Sequence, residues 1–295
     1  MGSKWDIASQ EVSNYFSSRK FLLVLGIFTI FCLGSVYVGY DNYQSSLERF
    51  ASGNTYGEAP SPPELIEVFT PLISFNFPLA AGLLAIILSY DAISGEREKG
   101  TFELLLSYPV YRDEVINGKF IASGFMVALC LLFSLMASSG LAIYLTSKIP
   151  GVSDIIRLGL VWVGTSTYMF FFLGLGVLTS TALKTSWRSL IASAFILLVF
   201  VAMPLLSNLV AGFVVDSGPE AENVYERRQV FSESVSKYSP SVAYTEYSKK
   251  VMAMETENST LRESFNSSVG NLIYLLGVTM VSFMLSYLFF MRQDI

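Results

Sequence analysis

The residues best equipped for recognition chemistry stand together in this chain. Glu96, Arg97, Glu98 and Lys99 form a dense run of mixed charge, and Phe102, Leu105 and Leu106 then gather on one face of a helical pattern that Pro109 ends. Side chains of these types bind rather than make bonds. A helix so built either seats in a partner's groove or rests at a membrane surface with its charges solvated, and the spacing alone leaves both readings open. Catalytic options are few. Histidine is absent, which removes the commonest general base and transition-metal ligand. Cys32 and Cys130 both lie inside apolar runs and read as small buried hydrophobes, with no disulfide framework or metal motif between them. There is no G-x-x-x-x-G-K-[ST] run to cradle phosphates, and a net charge of −5 disfavours nucleic acid as a partner.

The elements that must position the charged run are membrane spans. With 52% hydrophobic and 15% charged residues among 295, the chain is too apolar for an ordinary soluble domain. Six runs, 21–40, 69–90, 120–146, 158–183, 189–215 and 270–291, are long enough to cross a hydrocarbon core of about 30 Å. The expected fold is an all-α integral membrane protein. None of the six runs contains Lys, Arg, Asp or Glu, which argues against an intramembrane enzyme and against a proton-driven secondary transporter. Pro78 and Pro204 allow kinks within the spans. The charge-free spans suit an apolar or amphipathic substrate better than a hydrated metal ion. Phe and Tyr are numerous, but no substrate-binding residue can be named from them.

Residues 1–20 read as an amphipathic leader. Trp5, Ala8, Val12 and Tyr15 recur at helical spacing, with Asp6, Gln10, Glu11 and Asn14 on the other side. The first span lacks a small-residue cleavage site after it and reads as retained. Lys and Arg counts favour cytoplasmic termini, with Lys4, Arg19, Lys20, Arg97, Lys99, Arg112, Lys119, Lys184, Arg188 and Arg292 inside and Arg49, Lys148 and Arg157 in short outer loops. Residues 216–269 form a long outer loop, in which Tyr244, Tyr247, Val251 and Met254 predict a short helix with one apolar face after Pro240. Asn258-Ser259-Thr260 and Asn266-Ser267-Ser268 match the glycosylation acceptor pattern, a frequent chance match.

The stretch from Ile93 to Lys119, ISGEREKGTFELLLSYPVYRDEVINGK, resembles the cytoplasmic segment of type 2 ABC transporter permeases, especially the branch that includes multicopper-protein maturation permeases. The likeness lies in Ile93, Ser94, Gly95, Glu96, Arg97, Glu98, Gly100, Thr101, Glu103, Leu104, Leu105, Leu106, Pro109, Arg112, Gly118 and Lys119, and extends to Ser239-Pro240-Ser241 and Arg292-Gln293-Asp294. The resemblance implies residues 21–295 as one six-span permease domain in the plasma membrane, with 91–119 as its coupling segment. Two such subunits, identical or homologous, would pair with two ABC ATP-binding subunits, which would bind ATP and Mg, while this chain has no cofactor and no catalytic residue of its own. Glu96, Arg97, Glu98, Gly100, Thr101, Phe102, Glu103, Leu105, Leu106 and Pro109 would meet the ATPase, the apolar members as anchor and the charges as register. Membrane lipid and an extracytoplasmic protein are further partners in this reading. The competing reading is a membrane scaffold or sensor whose long outer loop binds a protein. Asp91 would either anchor the turn after the second span or stand solvated at its end.

Overall fold

The computed structural model describes residues 4–52, 64–74, 76–100, 112–214, 221–252 and 261–292, and among these there is no strand. Thr101, Phe102, Glu103, Leu105, Leu106 and Pro109 lie outside the described residues, as do Met254 and the Asn258 acceptor. The chain runs through α1 (Lys4–Ser17), α2 (Arg19–Ser52), a 3-10 helix (Leu65–Ile73), α3 (Asn76–Ser89), the short α4 (Ser94–Glu98) and α5 (Arg112–Thr146). It continues through α6 (Val152–Ala182), α7 (Ser186–Val214), α8 (Ala221–Ser236), α9 (Pro240–Val251) and α10 (Leu261–Met291). Six helices are long and apolar enough to cross a membrane: α2, α3 extended through α4, α5, α6, α7 and α10. This is an all-α, multi-pass membrane protein.

The bundle is organised around α6, the most buried of the six, which packs on α3, α5, α7, α9 and α10. Small residues let the backbones approach. A Cβ at Gly174 would meet the Ser282 side chain of α10, and one at Gly176 would meet Ser89 of α3. With lipid tails as apolar as leucine, such close packing and interhelical hydrogen bonds replace the hydrophobic drive between helices. Ser282 Oγ donates to the Phe171 carbonyl at 3.1 Å and Thr279 Oγ1 to that of Thr167 at 3.2 Å. The six spanning helices share two ends. The near end holds α1, α4 and the α6–α7 turn; the far end holds the α5–α6 turn, the 3-10 helix and the start of α10.

The second span departs from the expected continuous 69–90 helix. Its far half is the 3-10 helix, packed on α2 where a Cβ at Gly39 would meet the Val68 carbonyl, and its near half is α3. Prolines explain the division. Pro71 lies inside the 3-10 helix, and Pro78 falls in the first turn of α3, where its missing N–H costs no helical bond. Arg157, expected in a short outer loop, is buried within α6 and donates to the Val251 carbonyl at 3.4 Å, in the last turn of α9. The helix begins early because Asp154 Oδ2 reaches back to accept the Gly151 N–H at 2.9 Å.

The long outer loop is also revised. The expected short helix is present as α9, with Tyr244, Tyr247 and Val251 buried, and its apolar face docks on α6 and α10 while Glu246 and Lys249 are exposed. From Ala221, α8 descends along α7, marked by contacts of Arg228 Nη2 with the Gly212 carbonyl at 3.4 Å and of Ser232 Oγ with Ser207 Oγ at 2.8 Å. The chain turns at Lys237–Ser239, and α9 climbs back against α6. At the turn, Ser239 Oγ donates to the Phe200 carbonyl at 2.6 Å. That acceptor exists because Pro204, four residues on, has no N–H to bond it. Ser239 Oγ also accepts the Ser241 N–H at 3.2 Å, capping α9. Deeper in, Tyr168 Oη donates to the Pro78 carbonyl at 3.0 Å and lies 3.1 Å from Ser241 Oγ, while its ring stacks on Tyr244 with centroids 5.0 Å apart. Two facing spans and a re-entrant helical hairpin are thereby joined at mid-depth.

Ser239→Ala should leave the Phe200 carbonyl without a donor in an apolar setting and cost about 1–3 kcal/mol. Pro204→Ala restores that donor from within α7, so in thermal unfolding of the detergent-solubilised chain the double variant should lose less than the two single losses added together.

Candidate functional site

Glu96, Arg97 and Glu98 of the predicted coupling run each have a partner at the near end, while Lys99 is exposed. After Ser89 the helix of the second span stops, and the chain turns through Tyr90–Ile93 before α4 starts. Backbone donors freed by this break need acceptors. Ser180, in the last turn of α6, accepts both the Ile93 and the Ser94 N–H, each at 3.0 Å, and its Oγ lies 3.1 Å from Ser94 Oγ.

Arg97 and Glu98 then clamp the α6–α7 turn from both sides. Arg97 Nη1 donates to the Thr181 carbonyl at 3.2 Å, placing a cation at the C-terminus of α6. Glu98 accepts from the Ser186 N–H at 3.0 Å and from its hydroxyl at 2.7 Å, placing an anion at the N-terminus of α7. Each charge matches the dipole of the helix end it touches. Gly100 closes the unit with φ +69°, a left-handed conformation that favours glycine, and its N–H bonds the Arg97 carbonyl at 3.1 Å.

Glu96 turns the other way. It accepts from Lys119 Nζ at 2.7 Å, and the same ammonium donates to Glu11 of α1 at 2.6 Å. Lys119 is only 5% exposed. Three elements, α1, α4 and α5, are therefore joined by one buried cation between two partly exposed carboxylates. In the leader α1, Ile7, Ala8 and Tyr15 face the protein; Glu11, read on the polar side, joins them, while Trp5 and Phe16 are exposed. Gly118 on α5 admits it, because a Cβ there would meet Ile7. Tyr15 Oη donates to the Leu88 carbonyl at 2.6 Å and lies 3.1 Å from Ser123 Oγ, and burial pushes its phenol well above the ordinary range.

Asp91 is paired with Lys20 Nζ at 2.8 Å while staying 38% exposed, and that ammonium also lies 4.2 Å from the centre of the Tyr90 ring. Beneath the charges, Ile93, Val115, Ile116 and Phe290 form a small apolar cluster that fixes α4 to α5 and α10. Sequence reasoning missed Glu11, Tyr15, Lys20, Ser180, Ser186 and the pairing of Lys119. A usable signal was present for Lys119, an ionisable residue on the doorstep of an apolar span. Among the described residues no cluster of His, Cys, Asp or Glu could hold a metal ion. The arrangement ties α4 to α1, α5, α6 and α7.

The sequence profile described as ABC-2 family transporter protein matches residues 5–295. The chain belongs to this ABC-2 family. Two relatives, both named probable ABC transporter permease protein NosY, come from Stutzerimonas stutzeri and Pseudomonas aeruginosa. The first is 34% identical over 132 residues, 45% of this chain and 42% of the relative; the second is 33% identical over 155 residues, 52% and 50% respectively. The alignments thus span about half the length of these relatives or less. The resemblance carried by residues 93–119 is borne out at the level of the family. In this ABC-2 chain, Glu96, Arg97 and Glu98 of the conspicuous charged run are bonded into the near-end junction.

Lys119→Met should strand two carboxylates around an apolar side chain and destabilise the junction by about 3 kcal/mol. Glu11→Gln keeps a hydrogen-bonding group and should cost about 1 kcal/mol. Hydrogen exchange across α1 should rise sharply in the first variant and slightly in the second.

Proposed function

We propose that this chain is the membrane-spanning permease subunit of an ATP-driven ABC transporter, working with a second permease subunit and with separate ATP-binding subunits that hold ATP and its Mg. The near end is cytoplasmic in this reading, since it collects Lys4, Arg19, Lys20, Arg97, Lys99, Lys119, Lys184, Arg188 and Arg292. The membrane is the plasma membrane. Family membership supports the transport role, and the names of the two relatives support the permease assignment.

One observation carries the coupling role. α4 is bonded at once to the ends of α6 and α7 and, through Lys119, to α1 and α5. A partner that seats on residues 101–109, where Phe102, Leu105 and Leu106 supply the apolar anchor and Glu103 a charge, would pull directly on this junction through Gly100. Glu96, Arg97 and Glu98 then act as the inner half of the device, passing a push on the docking segment to the packed spans. The work delivered is export, or action on an extracytoplasmic partner.

The test is purification of the tagged chain in mild detergent from its native membrane, with mass spectrometry of its companions, beside Leu105→Glu and Glu103→Arg. An ABC ATPase should accompany the original chain and be lost from the Leu105→Glu preparation, with all six spans still inserted. Intact chain without an ATPase in every preparation would favour the scaffold reading instead.

A further inference from the structure

The six spans carry no charge through their apolar centres, yet the re-entrant hairpin brings one to the same depth. Lys237 opens the turn between α8 and α9, two residues before Ser239. Ser239 bonds the Phe200 carbonyl, and Phe200 stands midway along α7 (Ser186–Val214), about 21 Å from either end at 1.5 Å per residue. The next residue, Tyr238, accepts at its carbonyl from Tyr274 Oη of α10 at 2.6 Å, which fixes the turn on its other side. Lys237 is exposed, and no ion pair of its ammonium is present among the described residues. Glu233, one helical turn back, accepts from Gln229 Nε2 at 2.9 Å. An ammonium at this depth is costly against hydrocarbon and marks a polar path or a binding site.

Directly beneath the turn, on its near-end side, is a groove with a volume of about 550 Å³. Phe171, Ile196, Phe200, Val278 and Leu285 give it apolar walls between α6, α7 and α10, and Tyr238 and Pro240 of the hairpin turn line it as well. Along α10 it extends from Tyr274 to Leu285, about 16 Å of helix. A long apolar trench with an ammonium one residue from Tyr238, which lines it, has the form of a site for a molecule with one charged head and one chain. The charge complementarity selects the sign of the head.

We propose that Lys237 and this groove form a mid-membrane binding site for an anionic amphiphile, with a carboxylate or phosphate head at the hairpin turn and an apolar chain along α10. A bound molecule has its head directed to the far side and its chain to the near side. That orientation suits export toward the far leaflet. The claim that the molecule is carried rests on the transport function proposed above; the binding itself needs no ATPase, so failure of one is distinguishable from failure of the other.

The test uses the purified full chain in phosphatidylcholine nanodiscs and three fluorescent single-chain probes of equal length: a fatty acid, a lysophosphatidic acid and the uncharged fatty alcohol. Polarisation titrations at a pH where both acids are ionised should show the two anions binding about ten-fold or more tighter than the alcohol. Lys237→Gln should abolish that preference and leave alcohol binding unchanged, while Lys249→Gln, an exposed lysine near the end of α9, should alter nothing. Val278→Trp should weaken all three probes by filling the trench. Preference for one anion over the other identifies the head group and supports the site. Equal affinity for acids and alcohol, or anion binding indifferent to Lys237→Gln, would overturn it. So would dissociation of a dimer on Lys237→Gln, which would assign the ammonium to a carboxylate of a second copy.

Discussion

A backbone carbonyl left without a donor in hydrocarbon is expensive, and Pro204 creates one at Phe200. The remainder of the far half is arranged so that this carbonyl is filled. Ser239 reaches it from a different segment, which requires α8 to descend along α7 and α9 to return along α6. The same serine caps α9, so the bond that completes α7 also begins the next helix. Tyr168 and Tyr244 then pack the returning helix against the central span and pass its position on to Pro78 of α3.

The near end obeys the same rule with charges in place of hydroxyls. Where the second span breaks, its loose N–H groups go to Ser180, and the exposed ends of α6 and α7 go to Arg97 and Glu98. These are local charge–dipole and hydrogen-bond contacts, each modest alone. Their significance is connectivity: three consecutive residues, Glu96 to Glu98, reach α5 and the ends of α6 and α7, and the buried Lys119 extends the set to the leader. Such a junction ties the short α4, at the near end, to the packed spans and to the leader.

Much of this was legible in the sequence because the bilayer imposes a simple pattern. Six apolar runs of sufficient length gave six crossing helices, and the three- and four-residue steps of Tyr244, Tyr247 and Val251 gave α9 with its buried face. The depth of α9 was hidden, because a polar, serine-rich segment between spans reads as an outer loop unless its partner carbonyl is known. Glu11 was assigned to the solvent side because periodicity separates polar from apolar faces but is blind to a lysine 108 residues away. The charged run at 96–99 was recognised as important, yet spacing could not say that its charges turn inward to helix ends.

The 3-10 geometry of the second span's far half has a mechanical meaning. Its nine residues, Leu65–Ile73, cover roughly 18 Å at about 2.0 Å per residue, whereas α geometry would cover about 13.5 Å. The span therefore stores a few ångströms of axial length in its hydrogen-bond pattern rather than in a loop. Because α3 and then α4 continue from that segment, a change of winding near the far face would arrive at the near-end junction as translation along the membrane normal. Any such change would turn winding into stroke within a helix of only nine residues.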